Sequence, residues 1–179
     1  MRDRKVKYKF QAVKQKLQII DDALSEEDFA VIEDMCFSPP AMRQEETFPY
    51  YLETNVTGHA DGSDGTIYFC HVIQYDCPPL YPVLDLLNIG RDGTGLHRIK
   101  VNLYPGTPEI HHHADHVDAE IPHKGAILYL NTNNGLTVVD GVEVESVRNR
   151  LLLFDPTIPH HSTTCSDKPF RANINFNYQ

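Results

Sequence analysis

The C-terminal half of this chain is a succession of short apolar segments separated by turn residues, with no helical pattern between them. These segments lie at 96–104, 126–131, 136–139, 143–147, 150–154 and 171–178. Their length and close spacing are typical of strands in an antiparallel sandwich or barrel. This pattern constrains the fold more than any other feature of the sequence, because it leaves no room for the helices of an α/β protein.

Helical patterns are confined to the N-terminal half. A strand is predicted at 16–20, and Ser25 is predicted to cap a helix that begins with acidic residues and runs to about Cys36. A second strand is predicted at 66–73, and a short helix at 80–88 is predicted to end at Gly90. Segment 38–47 is expected to be irregular because of its two prolines, and 61–65 to be a turn. With 179 residues, the chain is predicted to be a single domain, in which 1–95 support a core formed by 96–179.

Charge and composition exclude several functional classes. The formal net charge is −9, and the basic residues cluster in an arm at 2–16, so the rest of the chain is strongly acidic. An acidic body disfavours nucleic-acid binding, which requires a basic face, and the arm is interpreted as a solvated tail or a contact for a polyanion. The sequence shows no membrane span and no secretory signal, which predicts a cytoplasmic protein. The four cysteines form no CxxC motif and are expected to be free thiols, with a Cys70–Cys77 pairing as the alternative.

Histidines point to the chemistry. Seven of the ten lie between His111 and His161. His113 and Asp115 are two residues apart, so in an extended chain their side chains point to the same face. A further histidine from His160-His161 would complete two imidazoles and one carboxylate, the ligand set of non-haem Fe(II) oxygenases. A solvated histidine-rich loop is the alternative interpretation of this segment.

Two strands carry polar side chains on one face only. Arg98, Lys100, Asn102 and Tyr104 alternate with apolar residues, and so do Arg171, Asn173 and Asn175. An arginine aligned with polar neighbours suits a small carboxylate, because its guanidinium can bind both oxygens. The alternative is an ordinary polar outer face on each strand.

Taken together, these segments resemble the 2-oxoglutarate- and Fe(II)-dependent oxygenases. Asn102-x-Tyr104 followed by His113-x-Asp115 resembles the metal and cosubstrate segment of the DNA-dealkylating branch and, less closely, of the prolyl 4-hydroxylases. Segment 154–160 resembles the one that supplies the second histidine, and Arg171-x-Asn173 resembles the closing strand. The resemblance covers 96–178 and implies a mainly β fold, a double-stranded β-helix of the jelly-roll, cupin-like type, with N-terminal helices packed outside.

The resemblance also implies roles for individual residues. Fe(II) would be held by His113, Asp115 and His160. The cosubstrate 2-oxoglutarate would be bound by Arg171, Asn102, Tyr104 and Asn173. His160 is preferred over His161 because it lies six residues after Phe154 and directly after a proline. His116-x-Asp118 is a second HxD motif, but it lies three residues beyond the spacing that Tyr104 favours, and it is expected to be a loop.

The implied activity is hydroxylation of a substrate C–H bond, with 2-oxoglutarate converted to succinate and CO2 and ascorbate as an added requirement in assays. A peptidyl substrate, including a prolyl residue, and a small molecule such as an amino acid both remain open.

Two departures distinguish the chain from the known branches: Asn177 stands where the dealkylating branch has a second arginine, and Arg171 stands where prolyl 4-hydroxylases usually have lysine. The competing hypotheses are a cupin-like metal- or ligand-binding protein and an interaction protein without catalysis. The sequence does not determine the oligomeric state.

Overall fold

The computed structural model describes residues 17–38, 48–54, 66–74, 76–118 and 121–179. These residues form the strands β1 (Gln18–Ile20), β2 (Tyr51–Glu53), β3 (Tyr68–Ile73), β4 (Leu96–Pro105), β5 (Lys124–Tyr129), β6 (Leu136–Val139), β7 (Val142–Glu145), β8 (Leu151–Phe154), β9 (His160–Ser162) and β10 (Phe170–Tyr178). They also form the helices α1 (Glu26–Phe37) and α2 (Tyr81–Leu87), with a 3-10 turn at Pro78–Leu80.

The strands form two antiparallel sheets. The larger has the order β1-β8-β5-β10-β4-β3-β2, and the smaller has the order β7-β6-β9. Strands from the N-terminal part of the chain therefore extend both edges of the larger sheet, while its centre is built from the C-terminal part. The mainly β, jelly-roll type of fold that the sequence predicts is confirmed.

One face of the larger sheet packs against the two helices. Period-2 alternation in β4 and β10 directs one set of side chains into this core, and Phe29, Ile32, Val83 and Leu84 meet them from α1 and α2. The buried strand residues on this face include Ile99, Val101, Ala172, Ile174 and Phe176. The Ser25 hydroxyl caps α1 by accepting a hydrogen bond from the Asp28 amide, as predicted. Helix α2 ends at Asn88, whose left-handed backbone (φ 57°) terminates it two residues before Gly90.

The opposite face of the larger sheet meets the smaller sheet. A second apolar cluster fills one end of this interface: Ile127, Tyr129, Val139, Val144, Leu152 and Phe154. The other end is polar and is lined by the alternate side chains of β4 and β10. The fold thus sends the apolar faces of these two strands to the helices and their polar faces into the interface between the sheets.

Most predicted strands are present within two residues of their predicted limits, but β2 and β9 were not predicted. Both have three residues, too few for alternation to be recognised in the sequence.

All four cysteines are free thiols, so the Cys70–Cys77 alternative is wrong. None of the helices in the described part of the chain has the length and hydrophobicity that a bilayer crossing requires. The basic arm at 2–16, the segment 39–47 and the turn at 61–65 lie outside the described residues.

Candidate metal centre

The segment that contains both HxD motifs runs antiparallel to β9. His116 and His160 form an isolated antiparallel bridge, in which each backbone amide donates to the other residue's carbonyl, at 3.0 and 2.9 Å. Residues directly opposite in an antiparallel pair direct their side chains to the same face. The two imidazole rings consequently lie together, with their centroids 4.6 Å apart.

Asp118 completes a group of three ligand side chains. Its Oδ1 lies 4.0 Å from Nε2 of His116 and 4.0 Å from Nε2 of His160. One ligand atom from each residue lies within 4.8 Å of the others, and this is the one such group found in the part of the chain that the structure describes. Two imidazoles and one carboxylate converge at a single point, with space beside them for further ligands.

Backbone contacts determine which nitrogen of each histidine faces this point. Nδ1 of His160 lies 2.9 Å from the carbonyl oxygen of Ile158, and Nδ1 of His116 lies 3.3 Å from the carbonyl oxygen of Ala114. Because a carbonyl oxygen only accepts, Nδ1 carries the proton and donates in each ring. Nε2 is then an unprotonated lone pair in both neutral rings, which is the form that ligates a metal. The donor set therefore fits a divalent transition metal.

The carboxylate of Asp118 is itself held in place. The Asn177 amide donates to Oδ2 at 2.7 Å, and a guanidinium nitrogen of Arg98 lies 3.4 Å from Oδ1. Burial opposes ionisation of this carboxyl, but the Asn177 hydrogen bond and the charge of Arg98 favour the ionised form, and the pKa of Asp118 is lowered. The carboxylate is therefore ionised and oriented for metal binding.

Arg98 reaches Asp118 together with its cross-strand neighbour. Asn177 and Arg98 are directly paired between β10 and β4, and two guanidinium nitrogens donate to the Asn177 side-chain oxygen at 3.0 and 3.2 Å. Asn177 thus occupies the position at which the dealkylating branch has its second arginine. The adjacent strand supplies a guanidinium at this place instead.

The three ligands lie on the wall of a cavity of about 300 Å³ between the two sheets. The polar face of β4 lines it with Arg98, Lys100, Asn102 and Tyr104, and β10 contributes Asn173 and Asn175. Asn102 donates to the Asn173 side-chain oxygen at 3.1 Å across the strand pair. The two polar faces identified in the sequence are therefore cavity walls, not solvated outer surfaces.

A buried cation lies behind one wall of this cavity. Arg171 is fully buried, and its guanidinium donates only to neutral oxygens of Ser146 (2.8 Å), Thr137 (2.9 Å) and Thr163 (3.4 Å). Thr137 lines the cavity directly. No carboxylate among the described residues forms a salt bridge with this arginine. Burial without a counter-ion lowers the pKa of Arg171, which marks a site that an anion would stabilise.

The surroundings of Arg171 are shaped for a polar ligand. Its guanidinium carbon lies 5.5 and 5.8 Å from the ring centroids of Tyr104 and Tyr129. Among the described residues, the buried hydroxyl of Tyr129 and Nε2 of His113 have no hydrogen-bond partner. A side chain at Gly135 would come within 2.6 Å of the arginine stem, so the close packing there requires glycine. Unpaired polar atoms around an unpaired cation fit a small carboxylate.

Comparison with known proteins identifies the fold through structure alone. No protein-family model and no curated protein matches the sequence. Solved structures do match: a 2OG-Fe(II) oxygenase family oxidoreductase from Burkholderia pseudomallei superposes with a TM-score of 0.61 and 14% identity, over 92% of this chain and 85% of that one. A prolyl-4-hydroxylase from Pseudomonas putida gives a TM-score of 0.59 and 15% identity, over 93% and 94% of the two chains.

A third match is a prolyl hydroxylase from Trichoplax adhaerens, solved in complex with a peptide fragment of the hypoxia inducible factor oxygen degradation domain. It gives a TM-score of 0.57 and 16% identity, over 92% of this chain and 84% of that one. This chain has the fold of the 2-oxoglutarate- and Fe(II)-dependent oxygenases. The resemblance seen in the C-terminal half of the sequence therefore extends, as a fold, to nearly the whole chain.

Within this oxygenase fold, the first HxD motif does not meet His160. His113 is buried against Tyr104, with ring centroids 5.2 Å apart, and its Nδ1 lies 2.7 Å from the Ser162 hydroxyl. Burial first, and then the charge of Arg171, lower the pKa of His113 to about 3, which keeps its ring neutral. The Asp115 side chain is 69% exposed and accepts from Nδ1 of His161 at 2.6 Å. Among the described residues, His113 and Asp115 thus lie outside the group formed by His116, Asp118 and His160.

The two adjacent histidines of β9 take different roles, as their alternation implies. His160 is buried and joins the metal-ligand group, whereas His161 lies between Asp115 and His112, with its Nε2 3.0 Å from Nδ1 of His112. The other predicted site residues converge on the cavity region: Asn102, Tyr104 and Asn173 line it, and Arg171 lies behind Thr137.

Several residues of the site carried no signal in the sequence. Tyr129 and Thr137 belong to strands whose pattern is apolar, so nothing distinguished them from core residues. Arg98 and Asn177 could have been found by pairing β4 with β10 in register. The HxD motif that lies beside His160 could not, because its identity depends on how the segment before β9 bridges to that strand.

Proposed function

We propose that this protein is a 2-oxoglutarate-dependent Fe(II) dioxygenase that hydroxylates a C–H bond. One observation carries the proposal: a His-Asp-His group lines the same cavity as Thr137, and behind Thr137 lies a buried guanidinium without a carboxylate partner among the described residues. A protein that only bound a metal would have no need for that unpaired cation. The reaction requires both a metal site and a cation that binds the cosubstrate carboxylate in one cavity.

The ligands of Fe(II) would be His116, Asp118 and His160. The two histidines offer unprotonated Nε2 atoms, and the lowered pKa of Asp118 keeps its carboxylate charged near neutral pH. Three ligands on one side of the metal leave positions for a cosubstrate and dioxygen, and these together supply the hydroxylation chemistry, with release of succinate and CO2.

The cosubstrate would be bound through its distal carboxylate. Arg171 would supply the charge, with the Tyr129 hydroxyl as a second donor. His113 can contribute as well, because its Nε2 carries a proton when Nδ1 accepts from Ser162. Asn102, Tyr104 and Asn173 would line the path from this carboxylate to the metal. Enclosure between two sheets would exclude water from the reacting groups.

The substrate would be a small molecule or a peptide. Two of the compared structures are prolyl hydroxylases, and one of these holds a peptide, which supports retaining a peptidyl substrate. We expect ascorbate to be required for sustained turnover.

Succinate formation tests the proposed activity. With Fe(II), ascorbate and 2-oxoglutarate, the wild-type protein is expected to form succinate slowly without substrate and faster with a substrate from a panel of amino acids and peptides. His160→Ala is expected to abolish both rates, because it removes a metal ligand. His161→Ala is the matched control and should retain the uncoupled rate. Absence of succinate across the whole panel would favour a cupin-like binding protein instead.

A second test addresses the positioning of Asp118. Arg98→Met and Asn177→Ala are each expected to weaken Mn(II) binding about 10- to 100-fold, the usual effect of removing a partner of a metal ligand. The exchanged variant R98N/N177R places the guanidinium on the opposite strand of the same pair, and it should recover part of this loss. Mn(II) affinity is measured by electron paramagnetic resonance. If both single variants bind Mn(II) as the wild type does, Arg98 and Asn177 do not position the ligand.

A further inference from the structure

Lys100 is a further cation of the cavity besides Arg98, and neither the metal nor the cosubstrate accounts for it. It lies between Arg98 and Asn102 on the polar face of β4 and is half-buried. Its ammonium donates to the Tyr68 hydroxyl at 2.7 Å and lies 4.9 Å from the centroid of the same ring. An ammonium has three donors, so this one hydrogen bond leaves it able to bind another acceptor.

The carboxylates of the cavity form no salt bridge with Lys100 among the described residues, although Glu53 and Asp118 both favour its charged form. Two described residues with carboxylates line the cavity, Asp118 and Glu53. Asp118 is held by Asn177 and Arg98. Within the described ranges, neither Asp118 nor Glu53 forms a salt bridge with Lys100. Burial lowers the pKa of Lys100, a cost that a bound anion would offset.

Asn175 faces the same part of the cavity. It lies directly opposite Lys100 in the register of β10 and β4 and also lines the cavity. Its side-chain oxygen is buried and has no partner among the described residues. An ammonium, a phenol and an amide with unused hydrogen-bonding capacity therefore lie on one wall, around a space large enough for a ligand.

We propose that Lys100 and Tyr68 form a subsite for a carboxylate of the molecule that is hydroxylated, and that the unpaired Asn175 side-chain oxygen beside them accepts from an N–H group of the same molecule. This inference rests on the proposed function, and it selects a small carboxylic acid, such as a free amino acid, over an internal segment of a peptide. Arg171 is engaged by the cosubstrate in that scheme, so a second, separate cation is what a second carboxylate requires.

Acetate serves as the probe, with acetamide as its neutral counterpart of the same shape. The 15N-labelled protein is titrated in the presence of Zn(II) and saturating 2-oxoglutarate, and the side-chain amide signal of Asn175 is followed by NMR. This signal is assigned by its loss in Asn175→Ser. Acetate is expected to shift the signal saturably and acetamide to leave it unchanged. Lys100→Met should weaken the acetate titration at least tenfold, whereas Lys124→Met, at an exposed position of β5 outside the cavity lining, should not change it.

Three results would overturn the inference. Acetamide could act as acetate does, Lys100→Met could leave the titration unchanged, or saturating 2-oxoglutarate could abolish the acetate effect, which would assign Lys100 to the cosubstrate. The readout requires neither turnover nor a redox-active metal. If succinate forms but acetate does not bind, only this inference fails; if acetate binds at Lys100 but no succinate forms, the proposed function fails and the anion subsite remains.

Discussion

Replacing Asp118 by Ala is expected to lower the affinity for Mn(II) by more than about 100-fold, beyond the usual effect of losing an outer partner of a ligand. The carboxylate is the one anionic member of the ligand group, and its lowered pKa keeps it charged near neutral pH. Without it, the two Nε2 atoms offer no charge to the metal. Mn(II) binding is measured by electron paramagnetic resonance, with Fe(II)-dependent succinate formation as the second readout.

Asp115→Ala is the matched control for this experiment. Both aspartates belong to an HxD motif, but Asp115 is exposed and bonded to His161, outside the ligand group. We expect its replacement to leave Mn(II) affinity within about twofold of wild type. If Asp115→Ala weakened Mn(II) binding and Asp118→Ala did not, His113 and Asp115 would be the ligands instead. Thermal melts of the metal-free proteins show whether Asp118→Ala stays folded. We expect that it does, because a side chain at a cavity wall contributes little to the core.

Replacing Arg171 by Gln is expected to raise the dissociation constant for 2-oxoglutarate roughly ten- to hundredfold, corresponding to ~1.5–3 kcal/mol for a charge-assisted hydrogen bond. The guanidinium is fully buried and donates only to neutral oxygens, so the cosubstrate would be its counter-ion. Mn(II) affinity should stay near wild type, because Arg171 is not part of the ligand group. Isothermal titration of 2-oxoglutarate into the Mn(II)-loaded protein measures the effect.

Stability provides the control for the Arg171 variant. A ligand that binds only the folded state raises the melting temperature, so 2-oxoglutarate should stabilise the wild type and not Arg171→Gln. Arg171→Lys keeps the charge without the planar fork and should lie between the two. If all three proteins bind 2-oxoglutarate equally, the distal carboxylate is bound elsewhere, and Lys100 becomes the leading alternative.

Positioning of the metal ligand by Arg98 and Asn177 shows how the chain departs from the branches that it resembles. At position 177 the sequence lacks the second arginine of the dealkylating branch. The structure places Arg98 of the adjacent strand directly opposite Asn177 and beside the Asp118 carboxylate. The absence of an arginine at position 177 therefore does not by itself distinguish the chain from the dealkylating branch. The residue paired with position 177 on the adjacent strand, Arg98, can supply the guanidinium.

The sequence by itself determined which strands form the cavity and which of their faces is polar. Alternation with period 2 is a local property, since successive side chains of a strand must point to opposite sides whatever the strand packs against. This is why the polar faces of β4 and β10, with Arg171 on the latter, could be predicted before the tertiary structure was considered. The preference for His160 over His161 came instead from its spacing to Phe154 and the preceding proline.

Only the tertiary structure decided which HxD motif accompanies His160. The two motifs are three residues apart and chemically equivalent, and the bridge between His116 and His160 places the second one opposite β9. Likewise, the unpaired state of Arg171 and Lys100 depends on which carboxylates approach them, and those come from distant parts of the chain. Motifs and alternation are local, whereas convergence and charge pairing depend on long-range contacts; this is the physical reason why the sequence could propose the ligand types but not every ligand.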